Sequence, residues 1–164
     1  MSYDMYLYGM ILRTNSFLLE GDYPEADTYA EIRKKYSLPG GETGTCATVL
    51  LGLGRSVKMD GTFMGKSTMP FIKKFYEGAP CDLSGLHLDE TFDGLEDNVL
   101  VASNTRTPFG EFRKFYSDPV HRWNAPKAED IAGAKVAGID PYFGEDSVLS
   151  LIHISEPTRL RCIS

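Results

Sequence analysis

The octet Gly61-Thr62-Phe63-Met64-Gly65-Lys66-Ser67-Thr68 holds the residue types that cradle phosphate groups: glycines that bare the backbone, a lysine and hydroxyls. A nucleotide phosphate loop sets four residues between its first glycine and the closing Gly-Lys-Ser/Thr. Here three residues separate Gly61 from Gly65, and a loop that must wrap N–H donors around two phosphates cannot be shortened freely. With Pro70 close behind, the octet reads as a strand-to-helix turn rich in small residues. The acidic run Asp89 to Asp97 (DETFDGLED) offers the oxygen ligands that Mg2+ takes. As an isolated charge cluster it reads instead as a solvated hairpin tip. His87 and His121 have no neighbouring His or paired Cys, so neither reads as a metal ligand, and no metal site is expected. Cys46 reads as a small core residue rather than a nucleophile.

Bulk properties narrow the classes. The chain has 164 residues, 42% hydrophobic and 24% charged, with a formal net charge of -6. That length supports one domain with a real core. The negative charge disfavours nucleic acid and anionic membrane surfaces as partners. No apolar run is long enough for a membrane span, and the N-terminus MSYDMYLYG lacks the basic and apolar regions of a secretory signal. Cys46, Cys81 and Cys162 show no Cys-x-x-Cys spacing, which fits reduced thiols and a cytoplasmic location.

The C-terminal stretch from Leu149 departs from what precedes it. Leu149 to Arg159 spell LSLIHISEPTR, which is what one reading frame of a common transposase sequencing adapter encodes. Residues 149–164 are therefore expected to be a non-native tail and are set aside from fold reasoning. Residues 1–148 are expected to be the N-terminal part of a longer, truncated domain.

Any chemistry needs elements to position it. MYLYGMILR alternates and predicts a buried first strand ending near Gly9, and NSFLLEG a short second one. DTYAEIRKKYSLP is ambiguous, with Ala30, Glu31, Arg33 and Lys34 favouring helix. After Pro39-Gly40-Gly41, ETGTCATVLLGLG sets Ala47, Leu50, Leu51 and Gly54 at helical spacing. RSVKMDG predicts a strand, and TMPFIKKFYEG a helix with Pro70 in its first turn and Gly78 at its end. LSGLHLDE and DNVLVASN predict two antiparallel strands joined by the acidic run. RKFYSDPVHRWNAPKAEDI reads as loop, and AGAKVAGID as a strand stopping at Asp140-Pro141. Alternating strands and helices imply an α/β fold with a mainly parallel sheet. Ligands in such folds sit at the carboxyl ends of the strands.

The order of these elements, and above all GGETGTCATVLLGLG, resembles the ribokinase-like (PfkB) carbohydrate kinases. Their pattern is a Gly-Gly pair, three residues, Asn, one residue, Ala, then Leu and Leu-Gly; Gly40, Gly41, Ala47, Leu50, Leu53 and Gly54 stand in register with it. SNTRTPF is similar to the family's lid strand, with Arg106 and Thr107 as its Arg-Thr pair, and NAPKAEDIAGAKVAGID resembles the connection into the next core strand. The resemblance spans Tyr6 to about Phe143. It implies a three-layer core with a small antiparallel β lid, built from segments of about 16–39 and 83–116.

The resemblance also implies chemistry: transfer of the γ-phosphoryl group of ATP to a sugar hydroxyl, a step dominated by positioning and electrostatics. ATP and Mg2+ are expected for the full-length parent, a small sugar or sugar derivative as substrate, and a homodimer formed through lid strands. Gly40 and Gly41 would let a sugar approach the backbone. Arg13 would add charge-assisted hydrogen bonds to an acidic or phosphorylated substrate, or else pair with an acidic residue such as Glu20. Asp140 would accept from a hydroxyl, or else simply end its strand with Pro141. Arg106 belongs to the lid side of the same set. The departures matter equally. Thr14 stands where the family carries a sugar-binding Asp, Thr45 where it carries Asn, Ser67 where a Gly-x-Asp turn ends, and Pro70 at a later Gly. The family's catalytic Asp, in a Gly-Ala-Gly-Asp segment of the C-terminal half, has no counterpart in this sequence, nor has the ATP pocket. This chain alone is thus expected to be inactive and to bind no cofactor. The alternative is a non-catalytic sugar-binding or regulatory relative of the same fold.

Overall fold

The computed structural model describes residues 3–140. The expectations for residues 141–164, the tail among them, lie outside the described residues. The central strand, β1 (Tyr3–Gly9), carries Tyr6, Leu7 and Tyr8, which are almost wholly buried. Alternation sends Tyr6 and Tyr8 to one face and Leu7 to the other, so both faces must be covered. β4 (Val57–Gly61) and β8 (Ala134–Ile139) flank β1 in parallel, and the two-residue β5 (Cys81–Asp82) extends the sheet beyond β4. On the Leu7 face, Val57, Met59, Ala47 and Ile72 form one core, supplied by α1 (Gly41–Gly52) and α2 (Thr68–Phe75). On the Tyr6 and Tyr8 face, Met10, Leu12, Phe115 and Ile131 form the other, with α3 (Phe112–Ser117) and α4 (Ala128–Ala132) contributing. Helices on both faces of a parallel sheet give three layers, as the α/β expectation requires.

Beside this core lies a second sheet, ordered β3-β2-β6-β7, from β2 (Leu12–Leu19), β3 (Ile32–Gly40), β6 (Glu96–Val101) and β7 (Arg106–Gly110). Three expectations change here. DTYAEIRKKYSLP, ambiguous in sequence with several residues favouring helix, supplies β3. It has no apolar stripe to bury against a partner, whereas β2 offers it an antiparallel ladder from Leu12↔Gly40 to Leu19↔Ile32. LSGLHLDE forms no strand beyond one bridge, Met64↔Leu88, because Leu83 and Leu86 turn inward to pack on the core. The small sheet is consequently mixed rather than antiparallel: β6 runs parallel to β2 and antiparallel to β7. The stretch read as loop also holds α3, whose Phe115 is buried against the core. Among the described residues no helix is long and apolar enough to cross a membrane.

Candidate functional site

The phosphate-loop question is settled by hydrogen bonds. The Gly61 N–H donates to Asp60 Oδ1 and the Gly65 N–H to Thr68 Oγ1. The N–H groups of Thr62, Phe63, Met64, Lys66 and Ser67 donate to the carbonyls of Gly9, Arg122, His87, Phe92 and Asp93. The N–H groups of Gly61 through Ser67 thus already serve the fold, and Lys66 pairs with Asp93 at 3.5 Å. The acidic run is spent in the same way: its backbone accepts from the octet, and Asp89 pairs with Arg122. Among the described residues no group of His, Cys, Asp and Glu is arranged to hold a metal ion.

A cleft of about 860 Å³ opens between the second sheet and the N-terminus of α1, within the range of small-molecule sites. Its floor is the turn Pro39-Gly40-Gly41, where the chain passes from β3 into α1. Both glycines have reasons internal to the fold. A Cβ on Gly40 would lie 1.9 Å from Thr14 Oγ1, and one on Gly41, whose φ is +73°, would lie 2.3 Å from the Met10 carbonyl oxygen. The turn is therefore bare because other atoms press on it, and that bareness leaves the backbone open to whatever enters the cleft. Thr45, on the first turns of α1, lines the same cleft.

Strand alternation fixes the walls. Leu12 and Thr14 of β2, Leu38 of β3, Asp97 and Val99 of β6, and Arg106 and Pro108 of β7 share the cleft face. Five residues singled out from sequence thus meet here: Thr14, Gly40, Gly41, Thr45 and Arg106. Two do not line it. Arg13 follows its neighbours to the other face of β2, where Nη2 donates to Ser37 Oγ at 3.3 Å, Nη1 lies 3.8 Å from Glu96 and the guanidinium sits 5.1 Å from the Phe71 ring. A side chain adjacent in sequence to Thr14 cannot share its face, so the substrate role expected of Arg13 has no geometry to rest on. Asp140 is buried beneath the floor, taking the Met10 N–H on Oδ2 at 3.1 Å while its own N–H donates to the Tyr8 carbonyl. The carboxyl of Glu42, which lines the cleft, hydrogen-bonds to it.

Two carboxyls of the cleft were not singled out from sequence. Glu42, in the first turn of α1, is pushed above the usual carboxylate range by burial and by Asp140 beside it. Asp97 is pushed up by burial, with the Thr14 hydroxyl opposing, and its Oδ1 is sealed from solvent without a hydrogen-bond partner. Asp97 was hidden at the end of the acidic run; the only signal available was its place at the start of an apolar strand, facing as Val99 faces. Cys46 also lines the cleft, and burial holds its thiol protonated, which fits the packing role expected of it.

No protein-family description and no curated protein sequence matches this chain. Its structure is similar to that of solved carbohydrate kinases. A fructokinase from Halothermothrix orenii superposes with a TM-score of 0.69 at 13% identity, covering 97% of this chain and 55% of that one. A ribokinase from Arabidopsis thaliana, solved with ribose and ATP, gives 0.68 at 12%, covering 99% and 53%. A ribokinase from Cryptococcus neoformans, solved with ADP, gives 0.62 at 14%, covering 97% and 48%. The chain has the ribokinase-like fold, and it spans about half the length of the structures it matches.

Proposed function

We propose that this chain is the N-terminal, substrate-side part of an ATP-dependent sugar kinase, and that its cleft takes the carbohydrate whose hydroxyl receives the phosphoryl group. One observation carries the reading: the bare Gly40-Gly41 backbone faces the hydroxyls of Thr14 and Thr45 and the Asp97 carboxyl across a single cleft of small-molecule size. Sugars are held by such a mixture of hydroxyl, carboxyl and backbone groups set among apolar walls. The kinase-like fold supports the reading, as does a neighbour solved with ribose and ATP.

The division of labour follows from what the residues fit. The octet cannot cradle ATP, because its N–H groups are engaged. ATP, Mg2+ and the catalytic base are therefore assigned to the portion of the parent that the longer neighbours have and this chain does not span. What these residues do is bind, orient and exclude water, while the second sheet forms one wall of the cleft as a lid would. A cytoplasmic location completes the proposal.

A second reading is favoured by Thr14 and Thr45, which replace an acid and an amide of the family pattern: a sugar-binding relative without catalysis. Two experiments decide. Ligand-observed NMR on the 164-residue chain with D-ribose and D-fructose is expected to show saturable binding; no binding of either sugar refutes a carbohydrate site. Long-read sequencing of the source gene across codon 149 is expected to run on into a second half containing Gly-Ala-Gly-Asp. A second half without that segment favours the non-catalytic relative, and a native stop after the tail removes the truncation argument.

A further inference from the structure

We infer that Asp97 is the specificity-determining residue of this cleft, accepting hydroxyls of a neutral sugar in place of an acid at position 14. The inference rests on the carbohydrate reading above and adds a residue and a substrate class to it.

Three observations converge. First, Thr14 and Asp97 are register partners on the parallel strands β2 and β6, and both line the cleft. A carboxyl on β6 thus stands one strand away from where the first strand pair would otherwise present it. Second, Thr14 Oγ1 lies against the floor of the cleft, 1.9 Å from where a Cβ on Gly40 would be, so Asp97 beside it stands next to the bare Gly40-Gly41 backbone. Third, Asp97 Oδ1 is buried without a hydrogen-bond partner in the protein, as are Asp130 Oδ2 and Arg13 Nε, but of the three residues Asp97 alone lines the cleft. A buried acceptor calls for a partner. A sugar hydroxyl is a donor that would satisfy it.

The charge distribution selects the class of sugar. Glu42 lines the inner end of the cleft with Asp140 behind it, and Asp97 faces them from the sheet. Arg106 is the one basic residue lining the cleft among the described residues. It stands opposite Val101, four residues along β6 from Asp97, which puts it about 13 Å away at strand spacing. Arg13 is turned to the other face and engaged by Glu96 and Ser37. A carboxylate or phosphate seated beside Asp97 would meet that carboxyl, with Arg106 toward the other end of β6 as the basic group of the cleft, whereas a neutral polyol would meet acceptors.

The test is ligand-observed NMR on the 164-residue chain, with D-ribose and D-fructose as neutral probes and D-gluconate and fructose 6-phosphate as anionic ones. Wild type is expected to bind the better neutral probe at least about tenfold more tightly than either anion. D97N and D97A are expected to weaken neutral binding by about tenfold or more, the loss of a hydrogen bond to a charged acceptor. Wild-type affinity should also rise with pH as the Asp97 carboxylate forms, above the ordinary carboxylate value because burial raises it, and D97N should flatten that rise, leaving only what Glu42 in the same cleft contributes. Unchanged affinity in folded D97N and D97A overturns the inference while leaving the carbohydrate reading intact, as does tighter binding of the anions. If both variants fail to melt cooperatively, the wild-type pH profile decides, and a flat one overturns the inference. Absence of binding by wild type to all four probes removes the carbohydrate reading itself.

Discussion

The two sheets of this protein solve opposite problems. The core sheet is covered on both faces: Tyr6, Tyr8, Val57 and Met59 are fully buried, and the charged groups beside them meet partners, with Asp130 Oδ2 the one atom left over there among the described residues. Lys58 meets Asp130 at 2.5 Å, and Asp60 takes the Tyr6 hydroxyl, the Asn124 amide and the Gly61 N–H. The second sheet keeps one face for the cleft and leaves an orphaned carboxyl oxygen there. Its edge strands β3 and β7 each contain a proline, Pro39 and Pro108, and β3 adds Arg33, Lys34 and Lys35. Proline and lysine on an edge discourage pairing with other chains. Burial is concentrated in one sheet, and the chemistry open to a cleft in the other, as expected where a site is built on a rigid scaffold.

The strongest way to break that contrast is in the core. Ile72 is fully buried in the apolar cluster between α2 and the core sheet. Ile72→Ala is expected to cost about 2–5 kcal/mol, the transfer term plus the cavity left behind, read as a lowered midpoint in urea denaturation. A loss below about 1 kcal/mol would mean that the core sheet does not carry the stability.

A smaller effect of opposite sign is expected in the cleft. Burial raises the folded-state pKa of Asp97 above its ordinary 3.8. A raised carboxyl contributes stability that is complete below the unfolded value and lost as pH rises through the folded one. At neutral pH the Asp97 charge is therefore a net cost. Asp97→Asn should raise the melting temperature at pH 7, by the equivalent of about 1 kcal/mol or less because the half-buried carboxyl is partly screened by water. The gain should vanish as pH falls below the ordinary carboxylate value. The same substitution is expected to weaken sugar binding, so stability and ligand affinity would move in opposite directions. A destabilised Asp97→Asn at neutral pH would place Asp97 with the satisfied polar groups of the core sheet instead.

The same contrast explains what could be read from sequence. β1, α1, β4, α2 and β8 were legible because their apolar residues repeat at the period of a strand or helix that buries a face. β3 was not, since an edge strand with Lys and Arg on both faces carries no such repeat and takes its form from β2, across a turn in the chain. α3 and β5, six and two residues long, are too short for periodicity to register. In the site, the Gly-Gly turn announced itself through composition. Arg13 and Thr14 were named together, although consecutive strand residues face apart. Asp97 stayed hidden because its exposure to the cleft depends on β6 lying parallel to β2, a pairing between segments some eighty positions apart along the chain that no local pattern encodes.

The subtlest test concerns the edge itself. Lys34 and Lys35 lie over the rings of Tyr36 and Phe17 at 4.9 and 6.0 Å, contacts that are weak at exposed sites. Replacing both with Val should leave the melting temperature nearly unchanged, within about 0.5 kcal/mol, because exposed substitutions rarely do more and Val suits a strand. What should change is association: with its charges removed, the β3 edge offers unpaired backbone groups beside Ile32, Tyr36 and Leu38, all exposed. Light scattering across a concentration series is expected to show growth of oligomers in the double variant at concentrations where wild type scatters as before. If the variant melts several degrees lower without associating, those lysines stabilise the fold, and the division between a stabilising core sheet and a guarded second sheet would have to be redrawn.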